Sequence, residues 1–520
     1  MQHVSAQRMV LQPNSFKHYI ESFNANDQEL YPQFITNSES WKFLSENIPL
    51  FDCPDKQLEQ TYYFRWWTYR KHIRKTPDGF VILEFLPDVS WAGKYNSINC
   101  AAALHVYEGR WLHDTRYIND YEKFWYHGGD MEAYSCWMAD AIHGQALVTG
   151  TYQLAVNLVK PLIDHYQVCE KKQMDSNGLY WQVDGKDGME VSICGGDQGD
   201  HEDYRATINS YQYGDAMAIA AISEWAGEKN IAASFIKKAS AIKLKLQQKL
   251  WDDSANFFKV LIKPINDSGT SSMKLCSARE LHGYTPWLFN LPSSQYSTAW
   301  KFLMDPKYFF APVGLTTAEQ NHPDFHISYQ GHECQWNGPS WPMATSITLT
   351  ALANLLNNYK QDYITNTDYF KLLLNYSRQQ QRQLKNGKIV PWIDENLNPY
   401  TGDWISRTRL SNWENGHWSA EKGGTERGKD YNHSTFCDLV ITGLVGLRPT
   451  DGNKLLINPL IPAGSWSYFC LDNVLYHGAI LTILYDQNGK HYHKGSGLKI
   501  FVNGKLAGSA PKLSKLVIKI

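Results

Sequence analysis

The chain has 520 residues, 43% of them hydrophobic and 20% charged, enough to bury a large core and hold more than one domain, which excludes a disordered or fibrous protein. Its 50 Lys and Arg against 52 Asp and Glu leave a formal net charge of -2. That balance provides no broad positive field for a phosphate backbone, so nucleic acid is not an expected partner.

Residues 1–50 are polar and mixed, with a short amphipathic piece, SFKHYIESF, and read as an N-terminal extension. From 55–73 onward, apolar residues recur at helical spacing between loops rich in Gly, Asp, Pro and Trp. Segments 133–150, 151–172, 207–227 and 229–251 are each long enough to be a helix, and the paired ones are joined by short connections. Short connections predict antiparallel helix hairpins. Aromatic loops follow at 175–183 and 252–260, and a third at 305–317 repeats the device. Helices are predicted again over 340–359, 367–384 and 433–447. After Pro449 the pattern changes to strands, with AILTILYD, LKIFVNGK and KLVIKI separated by turn residues. The predicted class is therefore mainly α, divided into an extension (1–50), a helical domain (51–448) and a small C-terminal β-sandwich-like domain (449–520).

Two compositional features bear on function. The 19 Trp and 31 Tyr exceed what packing alone requires, and an aromatic face with a polar tip suits sugar rings. The nine cysteines are scattered with no C-x-x-C pair, which argues against a disulfide framework and a zinc site. No metal and no cofactor are expected. No apolar run approaches the ~18–20 residues of a bilayer span, and the first residues carry no signal-peptide core. The chain as given reads as soluble with no membrane partner; cytoplasm and periplasm both remain open, and the oligomeric state is silent.

Cleaving a glycosidic bond needs two carboxyl groups across the sugar, one giving a proton and one activating water or attacking. Four loops offer them. KDGMEVSICGG (186–196) carries Asp187 and Glu190; HECQWNGPSWPMATS (332–346) carries Glu333, Trp336, Asn337 and Trp341. PWIDENLNPYTGDW (391–404) carries Glu395, and the polar stretch 413–436 carries Glu414, Glu421, Glu426 and His433. The bland alternatives are a helix-capping carboxylate at Glu190, a helix start at Pro-Ser-Trp-Pro, and an Asn-Pro turn beside a solvated Glu395. Outside these loops, Asp88, Trp91 and Tyr95 (86–98) are candidates for a subsite wall. Arg205 and Asn209 (202–215) are candidates for sugar contacts or for scaffold.

DGMEVS resembles the E-S-G-[MW]-D-x-S segment of inverting glycosidases in the trehalase and family 63 group, which includes processing α-glucosidases and mannosylglycerate hydrolases. QWNGPSWP is similar to their W-R-G-P-x-W-P segment, and ENLNPYTG to E-x-Y-[ND]-P-x-T-G. The resemblance spans roughly 60–447 and implies an (α/α)6 barrel of six-hairpin glycosidase type. It places the general acid on Glu190, where the group has Asp, and the general base on Glu395. A longer insertion than in those relatives makes Glu426 the named rival for the base. The implied partner is an oligo- or polysaccharide, and the implied reaction an exo-acting, inverting hydrolysis with carboxyls about 6.5–9.5 Å apart, against about 5–5.5 Å for retention. Two alternatives stay open: a uronate lyase using Tyr431, Asn432, His433 and Arg427, and a non-catalytic glycan-binding protein.

Overall fold

The computed structural model describes residues 9–195, 201–263, 273–327, 332–384, 386–406 and 428–519. Two short helices, α1 (Lys17–Ala25) and α2 (Asn37–Asn47), precede α3 (Lys56–Lys71). They are built into the core. Phe16 stacks on Tyr63 of α3 at 4.8 Å, Phe23 meets Phe64 edge-on at 5.5 Å, and the Tyr19 hydroxyl donates to Glu59 at 2.8 Å. Leu50–Asp52 then forms an antiparallel strand against 470–472 in the C-terminal sheet. The residues read as an extension thus tie the first long helix to the end of the chain.

Helices α4 (Ala102–Gly109), α5 (Arg116–His127), α6 (Met138–Thr149), α7 (Gln153–Gln173), α8 (Ala206–Trp225) and α9 (Lys229–Lys249) follow. Helix α8 packs against α6, α7 and α9, and most of its residues are buried, polar ones such as Asn209, Gln212 and Asp215 included. The stretch after α9 holds two 3-10 segments, Leu281–Phe289 and Ser294–Phe302, rather than long helices. Helix α10 (Pro342–Asn358) opens on proline, whose missing N–H is one of the donors a helix start leaves unpaired. Helix α11 (Asn366–Gln379) begins with a Thr365–Asp368 capping box. The helical part closes in a fully buried π-helical segment, Leu439–Leu444. Among the described residues no helix is long and apolar enough to cross a membrane.

The remainder is β. Leu447–Arg448, Lys454–Ile457 and Leu516–Lys519 make a three-stranded antiparallel sheet. Tyr468–Tyr476, Ala479–Asp486, Gly497–Val502 and Lys505–Ala510 make, with Leu50–Asp52, a five-stranded one. Asn503 and Gly504, at φ 50° and 77°, turn the last hairpin of that sheet as an Asn-Gly pair favours. One hydrophobic cluster runs from Leu11 to Ile518 through helices and sheets alike.

One expectation is corrected. Cys194 and Cys276 form a disulfide with Cα atoms 5.8 Å apart. They are 82 residues apart in sequence, and only the tertiary fold brings their loops together, so spacing could not reveal the pair. The other seven cysteines are free, and all but Cys169 are buried.

Candidate active site

Glu190 and Glu395 line one pocket, reached from two separate segments. Glu190 follows a 3-10 turn, Asp184–Lys186, and Gly188. Gly188 sits at φ +75° with its missing Cβ only 2.8 Å from the Cys100 sulfur, so the turn that presents Glu190 requires glycine on both counts. The loop is tied down by Met189 N–H to the Asp184 carbonyl (2.9 Å) and by Trp336 N–H to the Val191 carbonyl (2.7 Å).

Glu395 is held by the segment opposite. Leu397 exchanges two backbone hydrogen bonds of 2.9 Å with Ser340, which locks 393–397 against the residues leading into α10. Its Oε2 accepts from the Ser406 hydroxyl and from the Cys334 thiol at 3.7 Å. Glu395 is 1% exposed. The Asn396 amide reaches back to the Glu333 backbone carbonyl at 3.1 Å.

Aromatic side chains build the walls. Trp341, Trp91, Phe85, Tyr134 and Tyr431 line the pocket, giving the apolar faces and polar edges that sugar rings use. Trp341 donates through its indole N–H to the Gln335 carbonyl at 2.7 Å, while its ring stacks on Trp336 at 4.2 Å. Trp336 is therefore backing for the wall and does not line it. His433 also lines the pocket, 4.1 Å from the Tyr431 ring and edge-on to Trp341 at 5.6 Å. Neither of its ring nitrogens has a hydrogen-bond partner among the described residues. Burial, with smaller contributions from His105 and Arg65, pushes its pKa well below the ordinary value and keeps the ring neutral.

The structure also brings in Glu84, which is absent from the candidates drawn from sequence. It lines the pocket and accepts a hydrogen bond from the Tyr431 hydroxyl. Its signal was a single carboxylate inside the apolar run VILEFL.

Other expected contacts lie elsewhere. Asp88 is exposed and pairs with Arg74 at 2.9 Å; the Tyr95 hydroxyl donates to Asp78 at 3.0 Å. Asp187, Arg205 and Asn209 are buried scaffold. Arg205 donates to Asp187 at 3.0 Å and contacts Asp184, and Thr207 also donates to Asp187. Asn209 bridges Tyr180, accepting from its N–H at 2.9 Å and donating to its carbonyl at 2.8 Å. Asn337 is buried outside the pocket lining, its carbonyl accepting from His326 N–H at 3.0 Å. Glu414, Glu421, Glu426 and Arg427 fall outside the described residues. Of the lyase set, Tyr431 and His433 line the pocket, whereas the Asn432 amide is committed to the Leu83 carbonyl at 3.1 Å.

Comparison with known proteins gives this geometry its class. The profile of the family described as mannosylglycerate hydrolase MGH1-like glycoside hydrolase domain matches residues 94–434, and that of the glycosyl hydrolase family 65 C-terminal domain matches 447–507. A solved structure named sialidase is 43% identical over 98% of this chain with a TM-score of 0.88; the chain spans only 45% of that protein's length. The GH63 mannosylglycerate hydrolase from Thermus thermophilus in complex with glucose is 10% identical with a TM-score of 0.51, covering 73% of this chain and 99% of that one. The GH78 family rhamnosidase of a Bacillus species is 9% identical with a TM-score of 0.53, covering 87% and 41%. These last two likenesses are of fold alone. The chain carries a glycoside hydrolase domain. More particularly, the chain belongs to the MGH1-like glycoside hydrolase family, in keeping with the family 63 resemblance of its three loop segments.

Proposed function

We propose that this glycosidase is an exo-acting, inverting hydrolase of an oligo- or polysaccharide, working at the mouth of an (α/α)6 barrel. Glu190 protonates the leaving glycosidic oxygen while Glu395 takes a proton from water attacking the opposite face of the sugar. The observation that carries this reading is the shared pocket of the two carboxylates. Ser406 and Cys334 both donate to one oxygen of Glu395, which fixes the carboxyl's orientation in the pocket. Trp341, Tyr431 and neutral His433 supply a stacking face and unused hydrogen-bonding nitrogens for a sugar. The disulfide supports the periplasm over the cytoplasm, because such bonds persist in oxidising compartments.

A panel of aryl glycosides and natural glycans, with the first-formed anomer of the product followed by NMR, tests the proposal. Inversion is expected, with Glu190→Gln and Glu395→Gln each lowering kcat by about 100-fold or more. A product that retains the substrate's configuration, or full activity in Glu395→Gln, overturns it.

A further inference from the structure

The stretch that follows Glu190 is fixed largely from outside itself. Glu280, 3% exposed, stands just before the 3-10 segment Leu281–Phe289. Its Oε1 accepts two consecutive backbone N–H groups, from Ile193 at 2.9 Å and Cys194 at 3.2 Å. Its Oε2 lies 2.8 Å from His282 Nε2. Burial opposes the charge, but the His282 hydrogen bond and charge, together with Arg205, outweigh it and hold the carboxyl below its ordinary value. The second anchor is covalent: Cys194 is bridged to Cys276, on the same short segment as Glu280. That segment is itself fixed, since Glu280 bridges to Ala318 in antiparallel pairing.

We infer that Glu280 and the Cys194–Cys276 bridge are a paired positioning device that sets the reach of Glu190, and that removing either anchor misplaces it. The inference rests on the reading of Glu190 as the general acid. Ser192 and Val191 remain held by the Asp184 carboxylate and by Trp336, so losing one anchor shifts the loop without dissolving it. General acid catalysis is sensitive to such shifts, because a displacement of about 1 Å costs on the order of 100-fold in rate.

The test compares phenyl and dinitrophenyl glycosides of the sugar the enzyme hydrolyses. A dinitrophenolate leaves without a proton, whereas a phenolate needs the acid. Glu280→Ala, and separately Cys194→Ser with Cys276→Ser, are expected to lose about 100-fold in kcat on the phenyl glycoside with KM little changed, and about tenfold or less on the dinitrophenyl one. Glu280→Gln keeps a side-chain oxygen for both N–H groups and is expected to recover most of the activity. Thermal unfolding identifies a variant that fails to fold, and the other anchor's variant then decides. Equal losses on both substrates, or no loss in a folded variant, overturn the inference. Glu190→Ala run alongside separates the two claims: if it shows no leaving-group dependence, the acid assignment fails, whereas if it does and the anchor variants do not, only the positioning device fails.

Discussion

The Cys334 thiol donates to Oε2 of Glu395 across 3.7 Å, on the same oxygen that accepts from Ser406. A thiol is a weak donor, so its removal costs the carboxylate little, but its place in the pocket wall means that anything attached to the sulfur occupies the sugar's space. Cys100 lines the same pocket, and burial pushes its thiol well above the ordinary range, which slows its alkylation. Iodoacetamide that reaches the pocket is expected to inactivate the enzyme, with mass spectrometry placing the adduct on Cys334 and a bound sugar protecting it. Cys334→Ala is expected to stay within about tenfold of the parent activity, consistent with losing one weak hydrogen bond, and to resist the reagent. Inactivation that persists in Cys334→Ala assigns the effect to another thiol.

Tyr431 gives a sharper effect. Its hydroxyl donates to the Glu84 carboxylate inside the pocket, and burial, helped by the charges of Glu84 and Glu395, raises its pKa so that the proton stays on. Tyr431→Phe keeps the ring against His433 and removes only that donor. A hydrogen bond to a charged group contributes about 1.5–3 kcal/mol, so kcat/KM is expected to fall by about tenfold or more, while circular dichroism stays that of the parent. An unchanged kcat/KM would place Glu84 outside the sugar's reach.

Arg205 tests the scaffold. It is fully buried between Asp184 and Asp187, and although burial lowers its pKa to about 10, it remains charged at neutral pH. Arg205→Met has similar length and leaves two buried carboxylates without their cation, a change that costs about 3–5 kcal/mol in comparable sites. Urea unfolding is expected to show that loss. Arg205→Lys is expected to recover only part of it, because one ammonium cannot replace the planar fork. A variant of undiminished stability with a raised KM would return Arg205 to the sugar.

How much of this was legible in the sequence depended on what local chemistry surrounds each residue. Glu190 and Glu395 sit beside turn residues, Gly188 and the Asn398–Pro399 pair, whose backbone demands are visible in one sequence. The long helices were legible because α8, α9 and α10 carry continuous apolar faces. Helices α4 and α5 were not, being short and interrupted by polar residues such as Glu108 and Glu122 that are nonetheless buried. Charge alone could not decide at Arg205, since a guanidinium facing a sugar and one facing two interior aspartates look the same in one dimension. The disulfide and the role of residues before Leu50 depend on contacts across 82 positions or more, which no local pattern encodes.

His433 links pH to both stability and binding. Its ring is buried and neutral, with a pKa well below that of an exposed histidine. In the unfolded chain the same residue takes up a proton near its ordinary pKa of about 6.5. As pH falls below that value the unfolded state binds a proton that the folded state refuses, so stability is full above it and is lost progressively toward acid. His433→Asn removes the titration. Between pH 7 and pH 5 the parent is expected to lose up to about 2 kcal/mol more than this variant in urea unfolding. The variant is also expected to raise KM at neutral pH, because the imidazole nitrogens left unbonded by protein are its means of meeting a sugar hydroxyl. Should the two proteins lose stability in parallel, the acid sensitivity belongs instead to His72 and His105, whose pKa values burial lowers to about 3 and about 4.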